Sequence, residues 1–407
     1  MKLLRISNLY LEYINKFYAR TPELEYKSYE EQRAAFDYDG FGMADFWSNS
    51  LKPLGYEMTG IRANVAPLQR AWAREKGLLA AKKLNLKEIV LHQVSEFKPD
   101  ILWYDHADEE LLCLIRAKVP SINLVLGWVG SAMPRTNVWR HIDLVLSCAH
   151  ESVEYLNKAG FRASRLDHAF EPRINDRLKD NGKSIDLSFT GQIIRDDDFH
   201  LERERILVEL CSRVNLQIFS PSADITYEED LRAILRQMVY YGVGAITAIG
   251  VSRKMIEKVP KIGTVAMRSR RPLRPVNPDL KPCLRSSVFG VEMFQALRDS
   301  KMSLNIHADS SPLYASNMRL FEATGVGTCL VTDWKKNISE YFEPDKEVVT
   351  YRSAEECVDK IQWLLEHPIE LEAIARAGQA RTLKDHTFAH RAKQLDEIIQ
   401  RELKKKN

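Results

Sequence analysis

The chain has no long apolar run. No stretch reaches the about 18 consecutive uncharged apolar residues of a membrane-spanning helix. The opening "MKLLRISNLYLEYINKFYAR" lacks an apolar core followed by small cleavage-site residues, so no secretory leader is expected. Net charge is also scarce. Lys plus Arg number 59 against 56 Asp plus Glu, leaving +3, a field too weak to imply nucleic acid as a partner. Cysteine is sparse and scattered, at 113, 148, 211, 283, 329 and 357, with no CxxC pair. That spacing supports neither a zinc site nor a disulfide scaffold, and buried free thiols in a reducing cytoplasm are the expectation. Glycine is missing where nucleotide folds usually place it. No GxGxxG follows the first strand of either half, which argues against a standard NAD site, and there is no P-loop and no GxSxG elbow.

What is present is an alternation. In the first half "KLLRISN", "GYEMTGIRAN", "PDILWYDH", "PSINLVLGWVG" and "IDLVLSCAH" read as strands, separated by amphipathic helical stretches such as "ADEELLCLIRAK". A polar stretch, "INDRLKDNGK", then suits a linker, and the pattern restarts with "SIDLSFTG", "NLQIFSPS", "MSLNIHAD", "TCLVTD" and "VVTYRS". The 407 residues are comfortable for two domains. The fold class is therefore α/β, with two Rossmann-like, doubly wound parallel-sheet domains. The expected divisions are 1–180, 181–384 with a helical insertion at about 226–260, and a charged closing helix within 385–407.

One segment carries unusual chemistry. In "NMRLFEATGVGTCLVTD" (Asn317–Asp333) a helix bears Asn317, Arg319 and Glu322, then feeds a buried strand through Gly325 and Gly327. Ligands of parallel sheets bind beyond the carboxyl ends of strands, and "MSLNIHAD" places Asn305, His307 and Asp309 there. The helix start, with Asn317 and Met318, offers free N–H groups to a phosphate. Arg319 adds a charged grip on a diphosphate, and Glu322 reaches the same mouth to accept hydrogen bonds from ribose hydroxyls. The plainer alternative makes Arg319 and Glu322 an i, i+3 surface ion pair worth about 0.2–0.5 kcal/mol, with Asn317 only capping the helix.

"LNIHAD…NMRLFEATGVGTCLVTD", "YFEPDKEVVTYRS" and "IARAGQARTLKDHTFAHRAKQL" resemble the C-terminal half of the CgeB-like glycosyltransferases, which have the two-domain GT-B fold. The resemblance covers 284–400 and is weaker over 186–222. Over 1–180 it is faint, apart from "QRAWARE" and "HAFEPRI". It implies a central cleft between the two domains and a closing helix that returns to the N-terminal domain. It also implies a nucleotide-sugar donor (UDP-, GDP- or dTDP-linked) held mainly by the C-terminal domain, a glycan or glycoconjugate acceptor, and no metal or other cofactor. In the broader retaining GT-B group two glutamates eight positions apart handle sugar and ribose. Glu322 matches the second, but Tyr314 occupies the first, so this chain departs from the pattern.

Other positions are candidates of the same cleft. Gly191 and Gln192 follow the first strand of the second half, where a glycine lets backbone approach a phosphate or is simply a strand-end turn. Arg195 and His200 either neutralise a leaving diphosphate or are solvated. Phe289 either packs on a nucleotide base or belongs to the core. Asp105 and His106 end "ILWYDH", and either can serve as the base of an inverting transfer. His168 falls beside the crossing between the halves. The glycine-rich "GWVGSAMP" (Gly127–Pro134) suits close contact with a ligand, and "DDDF" (Asp196–Phe199) reads as a solvated loop. Arg268, Arg270, Arg271 and Arg274 form a run that either attracts an anionic acceptor or the inner membrane face, or is solvated. A GT-B epimerase or phosphorylase, and a non-catalytic binding protein that keeps the fold, are the competing readings.

Overall fold

The computed structural model describes residues 1–78, 84–130, 136–195, 200–250, 252, 256, 259, 262–266, 272–309 and 311–405. Twelve strands form two parallel sheets among these residues. The first contains β1 (Lys2–Ser7), β2 (Glu57–Arg62), β3 (Ile101–Asp105), β4 (Leu124–Val129), β5 (Leu144–Ser147) and β6 (Ala163–Arg165), in spatial order β2-β1-β3-β4-β5-β6. The second contains β7 (Ile185–Thr190), β8 (Leu216–Phe219), β9 (Leu284–Arg285), β10 (Ser300–Asn305), β11 (Cys329–Asp333) and β12 (Val349–Tyr351), in order β12-β11-β10-β7-β8-β9. Helices cover both faces, so central strands such as β3 and β10 are buried nearly throughout rather than alternating. The strand order reverses between β1 and β3 in one sheet and between β7 and β10 in the other, and such reversals open a crevice at the strands' carboxyl ends.

Three features escaped the sequence reading. β6 and β9 are edge strands of 3 and 2 residues, too short to show a period. Residues 11–51 contain three helices, Leu11–Arg20, Tyr29–Asp39 and Phe46–Leu51, inserted between β1 and β2. Cys211 and Cys283 are joined in a disulfide, a correction to the expectation of free thiols throughout. They stand 72 positions apart with no spacing motif, and only the packing of helix Leu201–Cys211 on the turn Pro278–Cys283 brings them together.

Two chain crossings join the halves. Phe170 N–H donates to His386 O at 2.9 Å and Phe388 N–H to Phe170 O at 3.0 Å, so the outgoing and returning segments pair side by side. The closing helix Phe388–Lys404 lies against the first half, with Trp47 edge-on to Phe388 at 5.2 Å and Tyr56 Oη donating to Asp396 at 2.6 Å. Gly325 sits under this crossing. A Cβ there would fall 2.3 Å from the Phe170 ring, so packing as well as helix termination calls for glycine. Further out, Arg20 pairs with Glu292 at 2.9 Å and Lys16 with Asp224 at 2.7 Å, tying the helical segment of the first half to the rim of the second.

Candidate functional site

The two strand-order reversals face each other across a cavity of about 490 Å³. Arg5 and Ser7 from β1 and Asp105 from β3 line one side. Thr190 from β7, with Gly191 and Gln192 just after it, and Asn305 from β10 line the other. The Gly40–Met43 turn and Phe289 close one end of it.

The helix read from Asn317 begins at Arg319, with Met318 as its capping residue and no side-chain cap. Asn317 precedes the helix and lines the cavity together with Asn305. Its Nδ2 donates to Asn305 Oδ1 at 2.8 Å, while Asn305 Nδ2 donates to Thr332 Oγ1 at 3.0 Å, so the two asparagines brace the helix start against the end of β10. Met318, Arg319 and Glu322 all reach the cavity wall. Arg319 Nη1 lies 2.9 Å from Glu322 Oε2, but the contact is not aligned as a hydrogen bond, and Arg319 Nε and Glu322 Oε2 are buried without a hydrogen-bond partner. The pair is therefore the i, i+3 contact anticipated, but walled into a cavity rather than on the surface. Burial raises the pKa of Glu322, against the opposing pull of Arg319.

Several expected positions fall elsewhere. His307 is turned into the domain, its Nδ1 2.7 Å from Asp333 Oδ1, and its side chain is fully buried off the cavity wall. Burial pushes the Asp333 pKa up, yet His307 and Lys335 outweigh it and hold the carboxyl at about 2. His106 also stands off the wall, bonded through Nδ1 to Asn8 at 3.0 Å and to the Ala107 N–H at 3.1 Å, and burial lowers its pKa. Asp105 does line the cavity, with Arg5 Nη2 2.6 Å from its Oδ2. Phe289 lines it too, within an aromatic cluster that places Phe41 at 5.3 Å and Tyr13 at 5.6 Å. Tyr314 stacks on His150 at 4.5 Å and stands off the wall. Arg195 is held by Glu204 at 2.7 Å and lines a neighbouring cavity. Residues 131–134 of the glycine-rich loop, all of Asp196–Phe199, and Arg268, Arg270 and Arg271 lie outside the described residues.

Two wall residues carry more than the sequence suggested. Arg203 is a buried cation whose Nη1 donates to Gln192 O and Nη2 to Ile306 O, each at 2.8 Å, so it ties together the loops that follow β7 and β10. Its Nε has no partner, no carboxylate forms an ion pair with it among the described residues, and desolvation lowers its pKa to about 10. Its Nη1 also lies 2.9 Å from His200 Nε2, so carbonyls and an imidazole hold the guanidinium, and its charge is left for an anion to meet. The signal was in the sequence: Arg203 precedes Leu207 by four and Leu210 by seven, on the core stripe of its helix. His168, on the outgoing crossing, is edge-on to Trp128 at 5.6 Å with Nδ1 buried and unpartnered. Burial pulls its pKa down to about 4.

The family described as "Glycosyl transferase-like" matches residues 264–397. No curated protein matches the chain. Among solved structures, Anabaena HepE in complex with UDP-glucose is similar at 10% identity, covering 98% of this chain and 99% of that one, with a TM-score of 0.52. A glycosyltransferase from Rickettsia africae gives 9% identity, 99% and 98% coverage and a TM-score of 0.52. AviGT4, a glycosyltransferase involved in avilamycin A biosynthesis, gives 13%, 99% and 98%, and 0.51. At these identities the likeness speaks to architecture: the chain has the two-domain GT-B fold, with a glycosyltransferase-like C-terminal segment.

Proposed function

We propose that the chain is a metal-independent glycosyltransferase of the CgeB-like group, moving a sugar from a nucleoside diphosphate carrier to a hydroxyl of a glycan or glycoconjugate. The observation that carries this reading is the convergence of Arg203, Arg319 and Glu322 on one cavity at the β7/β10 reversal of a GT-B fold. Arg203 and Arg319 meet the diphosphate, aided by the amides of the helix start at Met318, while Gly191, whose N–H is bonded to Phe219 O, lets the backbone come close. Glu322 accepts from the ribose, and Phe289 packs near the base. The first domain presents the acceptor, and Asp105 takes its proton. The domains close to exclude water, which otherwise hydrolyses the donor. HepE was solved with UDP-glucose, which makes UDP-linked sugars the first donors to test.

Arg5 suggests a second reading. Its hydrogen bond occupies Asp105 Oδ2, and with Tyr314 in place of a glutamate this favours a nucleotide-sugar-binding protein without turnover. Thermal-shift screening against nucleotides and nucleotide sugars, followed by transfer and hydrolysis assays on any stabilising ligand, separates the two. No stabilisation by any nucleoside diphosphate sinks both.

A further inference from the structure

A cavity of about 490 Å³ is of the size that one small ligand fills. With a nucleotide sugar inside it, any acceptor larger than a single sugar has to extend out past the residues beside Asp105. Asn8 and Tyr10 stand there, each exposed and each on the cavity wall. Both follow β1, whose last residue, Ser7, is in register with Asp105, the last of β3. The Tyr10 ring is edge-on to Phe41 at 5.7 Å and is 62% exposed. A solitary exposed tyrosine needs no explanation, but this one belongs to the wall of a cavity. It is also near Asp105: crowding by the walls and, after it, the Asp105 charge raise its phenol pKa.

The Asn8 amide is held in one orientation. His106 Nδ1 lies 3.1 Å from the Ala107 N–H and accepts from it, so the ring proton sits on Nε2. The same Nδ1 accepts from Asn8 Nδ2 at 3.0 Å. Burial lowers the His106 pKa and so keeps the ring neutral. Asn8 Oδ1 and the second amide hydrogen have no protein partner among the described residues. An acceptor and a donor fixed beside an aromatic ring suit a sugar. The C–H face of a pyranose lies on the ring, and neighbouring hydroxyls pair with the amide. Tyr10, Asn8 and His106 are all uncharged, which suits a neutral sugar rather than an anionic one.

We propose that Asn8 and Tyr10 form a subsite for the second sugar of the acceptor, so that the acceptor is an oligosaccharide or the end of a glycan chain. The inference rests on the transfer reading above. Tyr10 is the platform, Asn8 reads hydroxyls, and His106 is a positioning residue that sets which way the amide turns.

The test measures affinities of the UDP-loaded full chain by titration NMR. The probes are maltose, cellobiose, lactose and N,N′-diacetylchitobiose, each beside the methyl glycoside of its non-reducing sugar. At least one disaccharide is expected to bind about three- to tenfold tighter than its methyl glycoside. Tyr10→Ala is expected to erase that gain with UDP affinity and melting temperature unchanged. Asn8→Ala and His106→Phe are each expected to remove part of it, and the double variant no more than either alone, because both act through one amide. The proposal falls if no disaccharide outbinds its methyl glycoside, or if Tyr10→Ala keeps the gain. It falls also if Tyr10→Ala weakens UDP, which places the nucleotide base at this lip, and additive losses from Asn8 and His106 remove the positioning role. UDP binding is measured first by calorimetry. Its absence sinks the transfer reading and this one with it, whereas normal UDP binding without a disaccharide gain sinks only this one.

Discussion

Arg203→Met removes a buried charge while keeping most of the side chain's volume. The guanidinium is held by two carbonyls and the His200 ring, and desolvation has brought its pKa down from the ordinary arginine value to about 10. At about 1.36 kcal/mol per unit, the buried charge is disfavoured by on the order of 3 kcal/mol. Methionine relieves that cost but strands Gln192 O and Ile306 O, each a loss of about 1–3 kcal/mol. The two effects oppose each other, so the variant should keep its stability to within about 3 kcal/mol. With a diphosphate present the balance changes, because the charge gains a partner. A hydrogen bond to a charged group contributes about 1.5–3 kcal/mol, which is roughly 10- to 150-fold in affinity. Calorimetry with UDP and with uridine, beside a thermal melt of the empty protein, reads both terms. UDP affinity should fall by that factor and become less sensitive to salt, with uridine binding nearly unchanged. Equal losses for UDP and uridine, or UDP binding unchanged, would refute the phosphate role. A collapse in melting temperature would show instead that Arg203 is there to hold two loops.

Four further outcomes are expected. Glu322→Ala should weaken UDP and uridine together, by about 1–3 kcal/mol as a buried acceptor is lost, while the protein stays folded; unchanged calorimetric affinity removes the ribose from that carboxylate. Gly325→Ala should lower the melting temperature, since its Cβ would fall 2.3 Å from Phe170 and overpacking costs about 1–3 kcal/mol; Phe170→Leu in the same chain should restore part of the loss. The pKa values of His168 and His386 are pulled down to about 4 by burial, so the unfolded chain takes up their protons first as pH falls. Stability should be full above about pH 6.5 and decline toward pH 4, and His168→Gln should flatten the decline seen in denaturant melts. UDP affinity should be the same with magnesium as with a chelator, and a large gain from the metal would contradict arginine-based neutralisation.

Much of the architecture was legible in the linear chain because it rests on local pattern. Short apolar strands separated by amphipathic helices imply parallel sheets covered on both faces, and ten of the twelve strands can be read from the chain as short runs between helices. The edge strands β6 and β9 cannot, since three and two residues hold no period. The Arg319 helix was legible too, with Gly327 adopting φ +81 in the turn that follows it. Proximity was harder to read. Asn305 and His307 are two residues apart on what looked like one strand end, yet one lines the cavity and the other is turned onto Asp333.

The sequence alone determined where strands and helices lie, how the halves divide the work of building two sheets, and which helix start carries ionic groups. Those depend on spacing within a dozen residues. The tertiary structure decided the rest: that Arg203 is buried at the meeting of two loops, that Asp105 is held by Arg5 from a strand 100 positions earlier, that Gly325 lies under Phe170, and that Asn8 and Tyr10 stand exposed on the cavity wall. Burial and pairing depend on what packs against a side chain from distant parts of the chain, and no local period encodes that.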